Sequence, residues 1–84
     1  MTHHASPDFW ACYGALPKEI QSLADQAFER LKQDSSHPGL RFKKIGGIWS
    51  ARVGLHYRAL AMEVSAGLLW FWIGSHADYD RLVG

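Results

Sequence analysis

The hydrophobic period of this chain changes once, and the change falls at the turn-forming cluster Asp34-Ser35-Ser36-His37-Pro38-Gly39. Upstream of it, Ile20, Leu23, Ala24, Ala27, Phe28 and Leu31 recur at steps of three and one, which lines them along one stripe of an α-helix. Downstream, Trp49, Ala51 and Val53 alternate with Ser50 and Arg52, the period-two pattern of a strand whose two faces meet different surroundings. A helical first part followed by strands divides the layers between helix and sheet. The fold class expected is α+β with an antiparallel sheet.

Element boundaries follow from local chemistry. Ser6-Pro7-Asp8 supplies a capping hydroxyl, a proline at the first helical position and an acid in the first turn, so a short helix is expected from Pro7 to Tyr13. Gly14 to Pro17 turns the chain into a second helix carrying the apolar stripe, and the two form an N-terminal helix hairpin packed on the sheet. Lys18, Glu19, Gln21, Gln26, Glu29, Arg30 and Lys32 fall off the stripe and stay wet. A strand over Leu40–Ile45 turns at Gly46-Gly47 into Ile48–Val53, and a tight turn near Gly54-Leu55 leads into His56–Val64. Ser65-Ala66-Gly67 is the next hairpin turn. The strand after it, Gly67–Gly74, is apolar on both faces, as an interior strand covered on each side would be. A short C-terminal helix is expected over His76–Val83, with Ser75 as its cap and Asp78 in its first turn. Residues 1–84 read as one domain without repeat or linker.

Composition narrows the classes. With 48% apolar residues the chain is too hydrophobic for disorder, and it has no apolar run near the roughly 20 residues needed to span a bilayer. Cys12 is its single cysteine, so no internal disulfide is possible, and no leader pattern is seen; a cytoplasmic protein is expected. Cys12 itself reads as a small buried apolar residue. His3, His4 and Asp8 do not make a three-ligand metal set, and no metal or cofactor is expected. The net charge of +1 hides an uneven distribution: from Arg41 to Arg58 there are five basic residues, Arg41, Lys43, Lys44, Arg52 and Arg58, and no acid. Such a field attracts a phosphate backbone. A solvated strand face or an acidic protein partner would explain it as well.

Two blocks, LRFKKIGGIWSARVGLHYRALA and WFWIGSHADYDRL, resemble the RelE/ParE superfamily of bacterial type II toxin-antitoxin toxins. The stretch FWACYGALPKEIQSLADQAFERLKQDSSHPGL is similar to that family's helix hairpin, and the resemblance runs from Phe9 to Val83. It implies a RelE-like fold, a cognate antitoxin as partner, and in the messenger-RNA interferases a ribosome-dependent endoribonuclease. Such an enzyme cuts by attack of a ribose 2′-hydroxyl on the neighbouring phosphate, without a metal. That chemistry needs a proton acceptor, a proton donor and fixed positive charge on the phosphate.

The resemblance assigns roles by position. Arg58, in HYRA, would clamp the phosphate with its forked donors, the alternative being a structural ion pair with Asp78 or Asp80. His76 would move a proton, or serve only as a polar cap residue. Tyr79 would stack on a base or bond near the scissile phosphate, or pack its ring on the sheet. Arg52, Lys43 and Lys44 would hold RNA through its backbone, or form a solvated face. Trp49, Trp70 and Trp72 suit inward strand faces by their alternation.

The chain also departs from the family. Gly39 stands where some relatives carry a catalytic glutamate, and WSAR offers Ser50 and Arg52 where others have paired lysines. The family opens with a full strand, for which only MTHHAS is available, so the first strand should be short or absent and the sheet edge open to an antitoxin segment. A ParE-like inhibitor of DNA gyrase and a catalytically silent interaction module are the competing functions.

Overall fold

The computed structural model describes residues 2–83. Its elements are β1 (His3–Ala5), α1 (Pro7–Gly14), α2 (Lys18–Gln33), a single 3-10 turn (Pro38–Leu40), β2 (Lys43–Ile45), β3 (Ile48–Val53), β4 (Tyr57–Val64), β5 (Gly67–Ser75) and α3 (His76–Val83). The strands form one sheet in the order β1-β5-β4-β3-β2. All pairings are antiparallel except β1 with β5, which run parallel. The short first strand therefore exists, and it makes β5 an interior strand.

The caps form as local chemistry requires. Ser6 Oγ accepts from the Phe9 amide at 3.2 Å, and Ser75 Oγ from the Asp78 amide at 3.1 Å. Helix α1 lies on β5 and α2 on β3. They are tied to each other by the Tyr13 hydroxyl, which donates to Asp25 at 2.9 Å, and by the Gln21 side-chain amide, which donates to the Tyr13 carbonyl at 3.0 Å. The core beneath them gathers Leu31, Leu40, Ala51, Val53, Ala59, Ala61, Leu68, Trp70 and Ile73, with Cys12 half-buried at its margin. Each large apolar side chain so buried contributes about 1.5–3 kcal/mol. Of the α2 stripe only Leu31 is buried; Leu23 and Phe28 keep 38% and 40% of their surface exposed. Phe28 borders an apolar cleft of about 350 Å³ left between helices and sheet.

Two departures from the expected strands have physical causes. The strand predicted to start at Leu40 starts at Lys43 instead, because Leu40 is drawn into the core (1% exposed) and Arg41 adopts a left-handed backbone with φ of 45°. Such a residue cannot continue an extended chain. The second departure is a β-bulge: Leu60 pairs with Trp72 but Ala61 pairs with Trp70, so Phe71 has no cross-strand partner. Residues two apart should share a face, yet the bulge turns Trp70 into the core while Trp72 joins Leu60 on the opposite face. The inward placement expected for all three tryptophans thus holds for Trp70. Trp49 is half-buried at the core margin, stacked on Phe42 at 4.6 Å, and Trp72 faces away.

Candidate nucleic-acid interface

Strand β4 begins where β5 ends, with Tyr57 opposite Ser75 and Arg58 opposite Gly74. The first residue of α3 is fixed to the same place, its amide donating to the His56 carbonyl at 2.6 Å. An antiparallel hairpin therefore carries Arg58 and His76, 18 residues apart, into contact. Arg58 Nη1 donates to Ser50 Oγ at 3.0 Å and Arg58 Nε to His76 Nδ1 at 3.3 Å, and the guanidinium lies 5.3 Å from the Tyr79 ring centre. The His76 and Tyr79 rings are 5.9 Å apart. Arg58, His76 and Tyr79 stand together at one end of the sheet face turned away from α1 and α2.

The anchoring is firm on one side and open on the other. Ser50 is 2% exposed, and as a neutral acceptor it orients Arg58 without cancelling its charge. Neither Asp78 nor Asp80 pairs with Arg58 among the described residues: Asp78 bonds Arg81, and Asp80 lies 3.7 Å from His76 Nε2. Because His76 Nδ1 accepts a hydrogen bond, the ring proton in this arrangement sits on Nε2, facing Asp80.

Arg52 lies directly across the strand pair from Arg58, and its Nε donates to the Gly54 carbonyl at 2.9 Å. Like charges opposed on neighbouring strands cost stability, and among the described residues no acidic side chain pairs with either arginine. A small cleft of about 150 Å³ is lined by Arg41, Arg52, Leu55, Tyr57, Arg58 and His76, with no carboxylate. Three guanidiniums around one hollow make a ready anion site.

The lysines part company. Lys43 pairs with Ser50 and shares its face, whereas Lys44 turns to the helix side and binds Glu63 at 2.8 Å. Glu63 also accepts from Trp49 Nε1 at 3.0 Å, and the lysine first and the indole second hold its carboxyl below the usual range. Gly39 lies in the 3-10 turn, its amide donating to His37 Nδ1 at 3.0 Å, and brings no carboxylate. Tyr57, with no role in the sequence reading, lines the cleft; Arg41, named there only within the basic stretch, lines it too, and Ser50, named only in place of a family lysine, supports Arg58. The parity of Ser50 with Arg52 was a readable signal for the last. The left-handed turn that delivers Arg41 was not. Among the described residues no three His, Cys, Asp or Glu side chains cluster to hold a metal, and no helix is long and apolar enough to cross a membrane.

A small sheet with two helices on one face and a basic cleft at the end of the other defines a class. Its backbone matches that of the RelB-RelE antitoxin-toxin complex from Methanococcus jannaschii with a TM-score of 0.73 at 15% sequence identity, over 96% of this chain and 99% of that one. The fold is RelE-like. The ParE-like toxin domain family matches residues 18–81, and the chain belongs to that family. It is a toxin of the RelE/ParE superfamily. No curated protein matches it significantly.

Proposed function

We propose that this chain is the toxin of a type II toxin-antitoxin pair and that it cleaves messenger RNA on the ribosome, in the cytoplasm. One observation carries the reading: Arg58 is held by a neutral buried serine, with no acidic partner among the described residues, against His76 and Tyr79 and beside two further arginines. A structural arginine would be paired. This one keeps its charge for an incoming anion.

In the reaction a ribose 2′-hydroxyl attacks the adjacent phosphorus, the bond to the 5′-oxygen breaks, and a 2′,3′-cyclic phosphate and a 5′-hydroxyl remain. Arg58, with Arg52 and Arg41, stabilises the extra negative charge on the five-coordinate phosphate, an effect worth about 10²–10³ in rate per fixed donor. With no carboxylate at position 39, His76 takes the proton from the 2′-hydroxyl and returns it to the departing 5′-oxygen, a role worth about 10²–10⁴. Arg58 Nε covers the Nδ1 lone pair in the free protein. A phosphate that engages the guanidinium uncovers it. Tyr79 completes the wall on which Arg58 rests. Lys43, on the same face, extends the positive surface toward the RNA backbone.

The partner that silences such a site is an antitoxin, as RelB is found with RelE in the Methanococcus jannaschii complex. An acidic tail would neutralise the cleft, and the free side of β1 offers a strand edge. A second reading, inhibition of DNA gyrase, is favoured by the ParE-like character of the matching family. A translation extract separates the two. The nuclease reading expects messages cut at the decoding site, intact messages with Arg58→Ala, and unimpaired gyrase supercoiling. Intact messages with wild-type protein and stalled gyrase would transfer the function to the second reading.

A further inference from the structure

Trp70 and Trp72 face opposite sides of β5 because Phe71 is the bulged residue. Their indoles meet different fates. The Trp70 N–H donates to His3 at 3.1 Å and that of Trp49 to Glu63, whereas the Trp72 N–H has no protein partner among the described residues. Nor does another aromatic ring stack on Trp72 there. The ring is half-buried instead against bare backbone: a Cβ built on Gly74 would fall 2.5 Å from Trp72 Cζ2 and 2.9 Å from Cη2. Gly74 leaves this bed open only because it lacks a side chain. Gly74 is also the cross-strand partner of Arg58, its backbone about one strand spacing (~4.8 Å) away, so the indole that covers Gly74 lies on the strand next to the proposed phosphate-binding arginine.

We propose that Trp72 is a platform on which a base of single-stranded RNA stacks while the neighbouring phosphate occupies the arginine cleft. The proposal rests on the RNA reading of that cleft and adds a contact to it. The cleft fixes an anion, and an aromatic surface with an unused N–H stands beside it on the same face. A nucleotide combines those two needs, a charged phosphate and a flat base. Stacking tolerates any base, so the platform supplies affinity and register rather than strong sequence choice. The Tyr79 ring already carries the Arg58 guanidinium, which leaves Trp72 as the freer aromatic surface.

The test follows the four indole N–H signals of the full chain by nuclear magnetic resonance, assigned with single Trp→Phe variants. The probes are inorganic phosphate and an RNA trinucleotide made uncleavable by a 2′-deoxy sugar at the cut position. The trinucleotide is expected to move the Trp72 signal and leave Trp70 in place, while phosphate moves the Arg58 Nε–H signal and leaves Trp72 in place. Trp72→Leu should weaken trinucleotide binding about 10-fold or more with phosphate binding unchanged, Trp72→Phe less, and Gly74→Ala should weaken it by displacing the ring. If the trinucleotide moves Arg58 but not Trp72, or if Trp72→Phe and Trp72→Leu bind it as tightly as wild type, the platform is refuted and the RNA reading stands. If neither signal responds to the trinucleotide, the platform and the RNA reading fall together.

Discussion

Lys43 and Lys44 are adjacent in sequence and lie on opposite faces of the sheet, and the faces treat charge in opposite ways. On the helix side, Lys44 is bound by Glu63, which Trp49 also supports, and on α2 Lys32 pairs with Glu29. On the other side Arg58 faces Arg52 across a strand pair and Arg41 joins them around a hollow with no acid in its wall. The first arrangement adds to the fold, if modestly, as exposed ion pairs do. The second works against the fold. Uncompensated charge that is costly to gather is the mark of a surface built for something other than stability, and the proposed function gives it a phosphate to hold.

The sharpest way to break this contrast is to exchange loss of stability for loss of activity. Trp70→Ala empties a core position that is 6% exposed and should cost about 3–5 kcal/mol in urea unfolding, whereas Trp72→Ala, on the open face, should cost much less. Equal losses would mean that the two faces are equally buried. Arg58→Ala should then slow message cleavage about 10²–10³-fold while the unfolding midpoint shifts little, because relief of the like-charge pair offsets the hydrogen bond lost to buried Ser50. Arg58→Lys should fail to restore the rate, because an ammonium lacks the fork that spans Ser50 and phosphate.

Smaller effects sharpen the comparison. Lys44→Ala should leave cleavage within about twofold and act on acid stability. The Glu63 carboxyl is held low, so its contribution is present above the unfolded carboxylate value and is lost as pH falls through the lower folded one; removing Lys44 should shrink that acid-side loss in unfolding curves. Smallest is the response of β1. His3 is pushed below the usual histidine value mainly by burial, helped by neighbouring positive charge from the N-terminus, Lys32 and His4, and its Nδ1 must be unprotonated to accept from Trp70. Its contribution is complete above about pH 6.5 and fades as pH falls through the folded value. Amide exchange at Ser6, which donates to the Trp70 carbonyl at 2.9 Å, should lose protection over that window, and His3→Gln should flatten the response.

Arg58 and His76 entered the candidate site through the family resemblance, and hairpin register is the physical reason that they meet. Once His56–Val64 and Gly67–Gly74 were read as antiparallel neighbours with a short turn, the start of one and the end of the other had to meet, and with them Arg58 and His76. The grouping of Lys43 with Lys44 shows the limit of reading charge without parity, since one residue of strand turns a side chain to the other face. Trp72 shows the limit of parity itself. Its alternation with Trp70 pointed inward, and one unpaired residue reversed it.

The amino-acid order alone determined the caps at Ser6 and Ser75, the division into a helical part and a strand-rich part, the turns, and the acid-free basic stretch. Each depends on residues within one or two turns of one another, where backbone sterics and local hydrogen bonds decide. Only the tertiary structure decided that β1 lies parallel along β5, that Phe71 bulges, that Arg41 bends left-handed into the cleft, and that a buried serine holds the central arginine. Those outcomes follow from how side chains distant in sequence share space against a common sheet, a balance of packing and pairing that no local window contains.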